Sequence, residues 1–133
     1  MTERPKPKQP RDHARRLKDF GKSPAIEFHQ PRTLDELVGL RHAEVQHSFS
    51  LYVKALIRGR AKQPEVAAAC DFGRTRFNEV LNGRAWLSFD DMLRIEQVLG
   101  PVLVKLNFTR TPLTHPNLVG KYPRRMVLEA EAG

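Results

Sequence analysis

A single cysteine, Cys70, stands among 133 residues, so no disulfide can form within the chain and packing alone must hold the fold. Such cysteine usage suits a reducing compartment. No apolar run approaches the roughly 18–20 residues that a membrane-spanning helix needs. The charged, proline-dotted N-terminus lacks the apolar stretch of a secretory signal. There is no phosphate-cradling glycine loop, no Ser/His/Asp layout and no paired carboxylates at a catalytic spacing, so no catalytic residue is named and an enzyme is not expected. The five histidines show no ligand spacing with cysteine or carboxylates, and no metal, cofactor or small-molecule ligand is expected. These absences leave a soluble, cytoplasmic protein of one domain with tails.

What the chain has in excess is positive charge: 23 Lys/Arg against 15 Asp/Glu, a formal +8. The excess is unevenly spread. Residues 1–32 carry nine basic and four acidic side chains, residues 33–100 nine of each, and residues 101–133 five and two. A polyanionic partner is favoured, nucleic acid before an anionic membrane. The neutral middle reads as the folded unit. Residues 1–32, with three prolines among the first ten, read as a largely disordered basic arm. Within that arm Asp12, Leu17, Phe20 and Gly21 mark a short helix at about 12–20, and "AIEF" at 25–28 a brief strand. Residues 101–133 read as a strand-like segment and a tail.

The middle is punctuated as an all-α bundle. Thr33 and Glu36 fit a capping box, and behind them Leu37, Val38, Val45, Phe49, Tyr52, Val53, Leu56 and Ile57 recur at helical spacing, predicting one long helix from 34 to about 58. Pro64 opens a second helix. A third runs from Arg74 to about Asn82, stopped by Gly83. Ser88 with Asp91 caps a fourth, whose apolar face is Met92, Leu93, Ile95, Val98 and Leu99 before Gly100-Pro101. In "VLVKLNFTR" the residues Val102, Val104, Leu106 and Phe108 alternate, predicting a short strand, with a fifth helix as the alternative.

The second and third helices differ in kind. Val66, Ala67 and Cys70 on one, and Phe77, Val80 and Leu81 on the other, form an inward face, with Phe72 plugging the turn. Outward from the third helix stand Thr75, Asn78, Glu79 and Asn82, with Arg76 to one side and Arg74 at its start. One helix is a brace and the other is presented. Cys70 at an apolar position is core and not a reactive thiol.

This arrangement, "QPEVAAACDFGRTRFNEVLNG" at 63–83, resembles the helix-turn-helix of the lambda repressor and Cro-like (XRE) family. Gln63 matches the glutamine that opens the family's second helix, Val66 and Ala67 the apolar-alanine pair, and Asn82-Gly83 the close of the recognition helix. Asp71 stands where the family usually has glycine, and aspartate visits left-handed backbone more readily than most residues. The resemblance implies base contacts from Arg74, Thr75 and Glu79, and phosphate contacts from Gln63, Arg76 and Asn82. From side-chain chemistry alone Arg74 suits guanine, Asn78 adenine and Glu79 cytosine. Arg84, Lys62 and Arg60 lie near enough in sequence to pair with further phosphates.

The function so implied is sequence-specific binding of double-stranded DNA by a transcriptional repressor of a bacterium or temperate phage, acting by occluding its operator. A homodimer is the family's habit, though no residue pattern here marks its surface. The alternatives are an antitoxin with autorepression, and a protein-interaction module working through the helix at 34–58. The proline-rich arm has two readings, a minor-groove arm or a solubilising end.

Overall fold

The computed structural model of the chain describes residues 4–103. Among them are four α-helices, α1 (Leu34–Ile57), α2 (Gln63–Ala69), α3 (Arg74–Leu81) and α4 (Phe89–Leu99), preceded by short 3-10 turns at Pro10–His13 and Leu17–Asp19. The described chain contains no strand. The segment expected to pair at 25–28 makes one isolated bridge, Phe28 with Ala14. Val102 and Leu103 donate their amides to Glu96 Oε1 at 3.1 and 2.6 Å, and so close a turn behind α4 where a strand was expected to begin. Residues 104–110 of that expected strand, and the tail to 133, lie outside the described residues.

The N-terminal arm corrects the expectation of disorder. Residues 4–32 form a strap folded against α1 and the end of α3, with Pro10, His13, Ala14 and Phe20 buried. Four long-range bonds hold it: Arg11 N to the Gly83 carbonyl (3.0 Å), Trp86 Nε1 to the Lys8 carbonyl (3.0 Å), Gly21 N to His47 Nδ1 (2.8 Å) and Lys54 Nζ to the Gly21 carbonyl (2.8 Å). In place of the helix expected at 12–20 there are two 3-10 turns, which carry no helical periodicity for composition to reveal. The strap's closest approach is glycine against glycine's neighbour. A Cβ on Gly21 would run into the Leu81 carbonyl, one on Gly83 into the Phe20 ring, and both residues hold positive φ.

The strap, and for Gln46 the α3–α4 connection, explain why α1 is buried on more than its apolar stripe. Phe49, Val53 and Ile57 face α2 to α4 as expected, but Leu40, Ala43, Gln46, His47 and Ser50 are buried as well, while Val38 is 62% exposed. At the start of α1 the Thr33 hydroxyl accepts from Glu36 N at 3.1 Å, as a capping box requires. The Glu36 carboxylate does not complete the box. It turns to the Arg32 guanidinium at 2.9 Å, with Arg4 at 3.6 Å, because the strap brings two arginines within its reach.

The central core joins Phe49, Val53 and Ile57 of α1 to Val66, Ala67, Cys70, Phe72, Phe77, Val80, Leu81, Leu87, Met92, Ile95 and Val102. Of the α4 residues expected inside, Met92 and Ile95 are buried, whereas Leu93 and Val98 are exposed. Gln46 is the polar pin of this core. Its Nε2 donates to the Val80 and Ala85 carbonyls (2.7 and 2.9 Å), and its Oε1 accepts from Leu87 N (2.8 Å). One α1 side chain thereby fixes the end of α3 and the connection to α4.

Candidate nucleic-acid interface

The placement of α3 follows from its frame. Ala67 lets α2 and α3 approach, Phe77, Val80 and Leu81 are fully buried, and Phe72 packs on Phe77 with ring centroids 5.6 Å apart. The turn between the helices depends on Asp71, which holds φ 60°, the one non-glycine residue at positive φ among the described residues. A left-handed backbone costs an L-residue about 1–2 kcal/mol, least for Asp and Asn and most for β-branched side chains. Urea denaturation should therefore find Asp71→Val less stable by about 1–2 kcal/mol and Asp71→Gly no less stable than the parent. Equal losses from the two variants would mean that the side chain, and not the backbone angle, holds the turn.

Arg74 and Thr75, at the start of α3, are exposed, and Asn78 is exposed one turn on. Together with Gln63 and Pro64 of α2 they line an open depression of about 400 Å³. Lys62, Arg60 and Arg58 stand exposed on the loop leading into α2, and Arg84 just beyond α3. The strap reaches the other end of α3 and leaves this first turn uncovered. Glu79 is half-buried, and it is its carbonyl that is engaged, by Arg84 N at 2.9 Å.

Three polar side chains of this face are wired together in a way that local spacing could not predict. Lys54, on α1, is half-buried and donates Nζ to Asn82 Oδ1 at 3.0 Å. Burial, and then the neighbouring Lys22, pull the Lys54 amine below the usual lysine range. Because an ammonium only donates, Asn82 must turn its oxygen to Lys54 and its amide nitrogen to Asn78, which accepts at Oδ1 (3.1 Å) and at its carbonyl (2.9 Å). Gln63 Nε2 also donates to Asn78 Oδ1, at 3.3 Å. The Asn78 oxygen is thus occupied twice, and its amide N–H groups are what remains to face outward. Lys54 is the member that sequence reading missed; its signal was a lone lysine beside Val53, Leu56 and Ile57.

Arg76 is engaged elsewhere. Its Nη2 donates to Asp91 Oδ2 at 2.6 Å, and its guanidinium lies 4.8 Å from the centre of the Phe72 ring. Asp91 at the same time accepts from Ser88 N and donates its own amide to Ser88 Oγ, the expected capping box of α4. Burial alone would raise the Asp91 carboxyl, but the Arg76 and Ser88 bonds outweigh it and hold the group below the usual carboxylate range. The pair clamps α3 to the start of α4. Trp86 packs on His42 with centroids 4.6 Å apart, facing the domain.

Cys70 is buried, and burial raises its thiol above the usual range, which suits a core residue. Among the described residues no group of three His, Cys, Asp or Glu side chains could hold a metal ion, and no helix is long and apolar enough to cross a membrane. Comparison with protein-family models, curated proteins and solved structures finds no match to the chain.

Proposed function

We propose that the chain is a sequence-specific double-stranded DNA-binding regulator of the lambda repressor and Cro-like helix-turn-helix type, repressing transcription by occupying its operator. The observation that carries this reading is the exposed first turn of α3. There Arg74 and Thr75, with Asn78 one turn on, stand beside Gln63, with exposed cations nearby and a buried apolar frame behind. A helix fits the major groove, and its first turn meets base edges. Arg74 would read guanine through a bidentate guanidinium, with Thr75 beside it. Arg60, Lys62, Gln63 and Arg84 would pair with phosphates and set the helix in register.

The wiring of the face refines the expected roles. A bidentate contact to adenine needs both the oxygen and the nitrogen of Asn78, and its oxygen already serves Gln63 and Asn82. Asn78 therefore acts as a donor, suited to guanine O6 or N7, thymine O4 or a phosphate. Arg76 and Asn82, expected on phosphates, act mainly as positioning residues through Asp91 and Lys54. Glu79, half-buried beside the path to Arg84, is the weakest base contact of the set.

Selection of bound sequences from a random duplex library, followed by competition binding, tests the reading. The parent protein is expected to select a defined site, and Arg74→Ala to lose about 1–3 kcal/mol of discrimination at one base position. A parent that binds no duplex, or binds every sequence alike, would end the proposal; an unchanged preference in Arg74→Ala would remove Arg74 from its role.

A further inference from the structure

We infer that the strap gives this interface a second phosphate-gripping flank, built from Lys8, Arg11 and Lys22 at the carboxyl end of α3. The inference rests on the duplex-binding reading above. Two crossings of the strap bring these cations there. Around the first, Arg11 N bonds the Gly83 carbonyl and the Lys8 carbonyl accepts from Trp86, so both residues border the loop that follows α3. At the second, Gly21 lies against Leu81 and receives Lys54 on its carbonyl, which seats Lys22 beside Lys54.

The charges gathered there are not neutralised from within. Cations at a helix carboxyl end are favoured by its dipole, and Lys54 uses that through Asn82. Lys22 adds a second ammonium close enough to repel the first. The strap's carboxylates are spent elsewhere: Asp12 accepts from the backbone amides of Lys8 and Gln9, Glu27 pairs with Arg15 at 3.9 Å, and the charge of Asp19 bears on His47. Arg4 and Arg32 are held by Glu36. Lys8, Arg11 and Lys22 have no ion-pair partner among the described residues; Lys8 and Lys22 are exposed and Arg11 is half-buried.

A duplex supplies the missing anions. The eight residues of α3 span roughly 12 Å at ~1.5 Å per residue. That is close to the ~12 Å width of the major groove. With Arg60 and Lys62 serving the side of the groove nearer α2, cations at the far end of α3 meet the phosphates of the opposite rim. The strap positions, and Arg74 reads.

The test is a salt titration of full-length protein on its selected duplex, for the parent, for K8A/K22A, and for the charge-reversed K8E/K22E. Each lost phosphate contact should lower the slope of log affinity against log salt by about 0.9. The double alanine variant should therefore lose about 1.8 in slope, so that between 50 and 200 mM salt its affinity falls about tenfold less than the parent's. Its base preference and thermal midpoint should not change, because neither side chain packs in the core. K8E/K22E should bind more weakly still. An unchanged slope in K8A/K22A, with the parent still selecting its site, overturns the flank while leaving the α3 reading intact. A parent without duplex affinity fails the underlying reading instead.

Discussion

Replacing Gln46 by leucine is expected to lower the stability of the protein by about 3 kcal/mol or more, although leucine is better suited to a core on hydropathy alone. The side chain is fully buried and every polar atom it has is used, on the Val80 and Ala85 carbonyls and the Leu87 amide. Leucine takes this partner from all three backbone groups, and the Val80 carbonyl and Leu87 amide lose it in a buried setting. Each buried, unsatisfied group costs about 1–3 kcal/mol. The Val80 carbonyl would keep only a long contact from Gly83 N at 3.4 Å. For a domain of this size the loss corresponds to a fall in melting temperature on the order of 15 °C. Thermal denaturation followed by circular dichroism measures it, with the exposed Gln97→Leu as the control, expected to stay within about 0.5 kcal/mol of the parent. A Gln46→Leu midpoint within a degree or two of the parent's would mean that the bonds to the α3–α4 connection contribute nothing net.

Acid should loosen the strap. His47 is buried between the Phe20 and Phe28 rings, accepts from Gly21 N at Nδ1, and has no partner at Nε2. Burial is the main cause that lowers its pKa from 6.5 to about 4, with the Lys54 charge adding to it. The folded-state value lies below the unfolded one, so the fold favours neutral imidazole. This contribution is fully present above pH 6.5 and is lost as pH falls from 6.5 toward 4. At about 1.4 kcal/mol per unit, the window is worth on the order of 3 kcal/mol. His13, lowered mainly by its own burial, adds a loss of the same sign. Urea midpoints measured across this range should fall steadily for the parent. His47→Gln, which keeps an acceptor for Gly21 and cannot titrate, should show a much flatter profile. Parallel profiles would place the acid sensitivity elsewhere.

How far the fold was readable depends on whether its determinants are local. The starts and stops of α2, α3 and α4 are written in single residues, Pro64, Gly83, Ser88 with Asp91, and Gly100, and each acts on its own turn. The apolar residues assigned to the inner faces of α2 and α3 are buried for the same reason, since a short amphipathic helix has only one way to hide them. The strap was not readable. Its prolines and charges match the composition of an unfolded segment, its 3-10 turns have no period of 3.6, and the bonds that seat it on the helices reach residues more than twenty positions away. The second buried face of α1 was hidden by a related cause, because Gln46, His47 and Ser50 are polar and tertiary contacts enclose them, His47 through the strap and Gln46 through the α3–α4 connection.

The candidate face divides along the same line. Arg74, Thr75 and Asn78 could be placed outward from the helical wheel, because their neighbours Phe77, Val80 and Leu81 leave them no other side. Which of the polar residues would already be occupied could not be seen. The Arg76–Asp91 pair joins two helices, and the chain from Lys54 through Asn82 to Asn78 begins on a third. Local spacing names the residues of a surface; tertiary pairing decides which atoms of them are still unspent.

The ring of Phe20 against the bare backbone of Gly83 has a practical corollary for dissecting this molecule. A shortened version starting at Thr33, the cut that composition invites, would remove the wall that His47 leans on and the strap's bonds to the end of α3. The smallest self-sufficient piece has to begin upstream of Pro10.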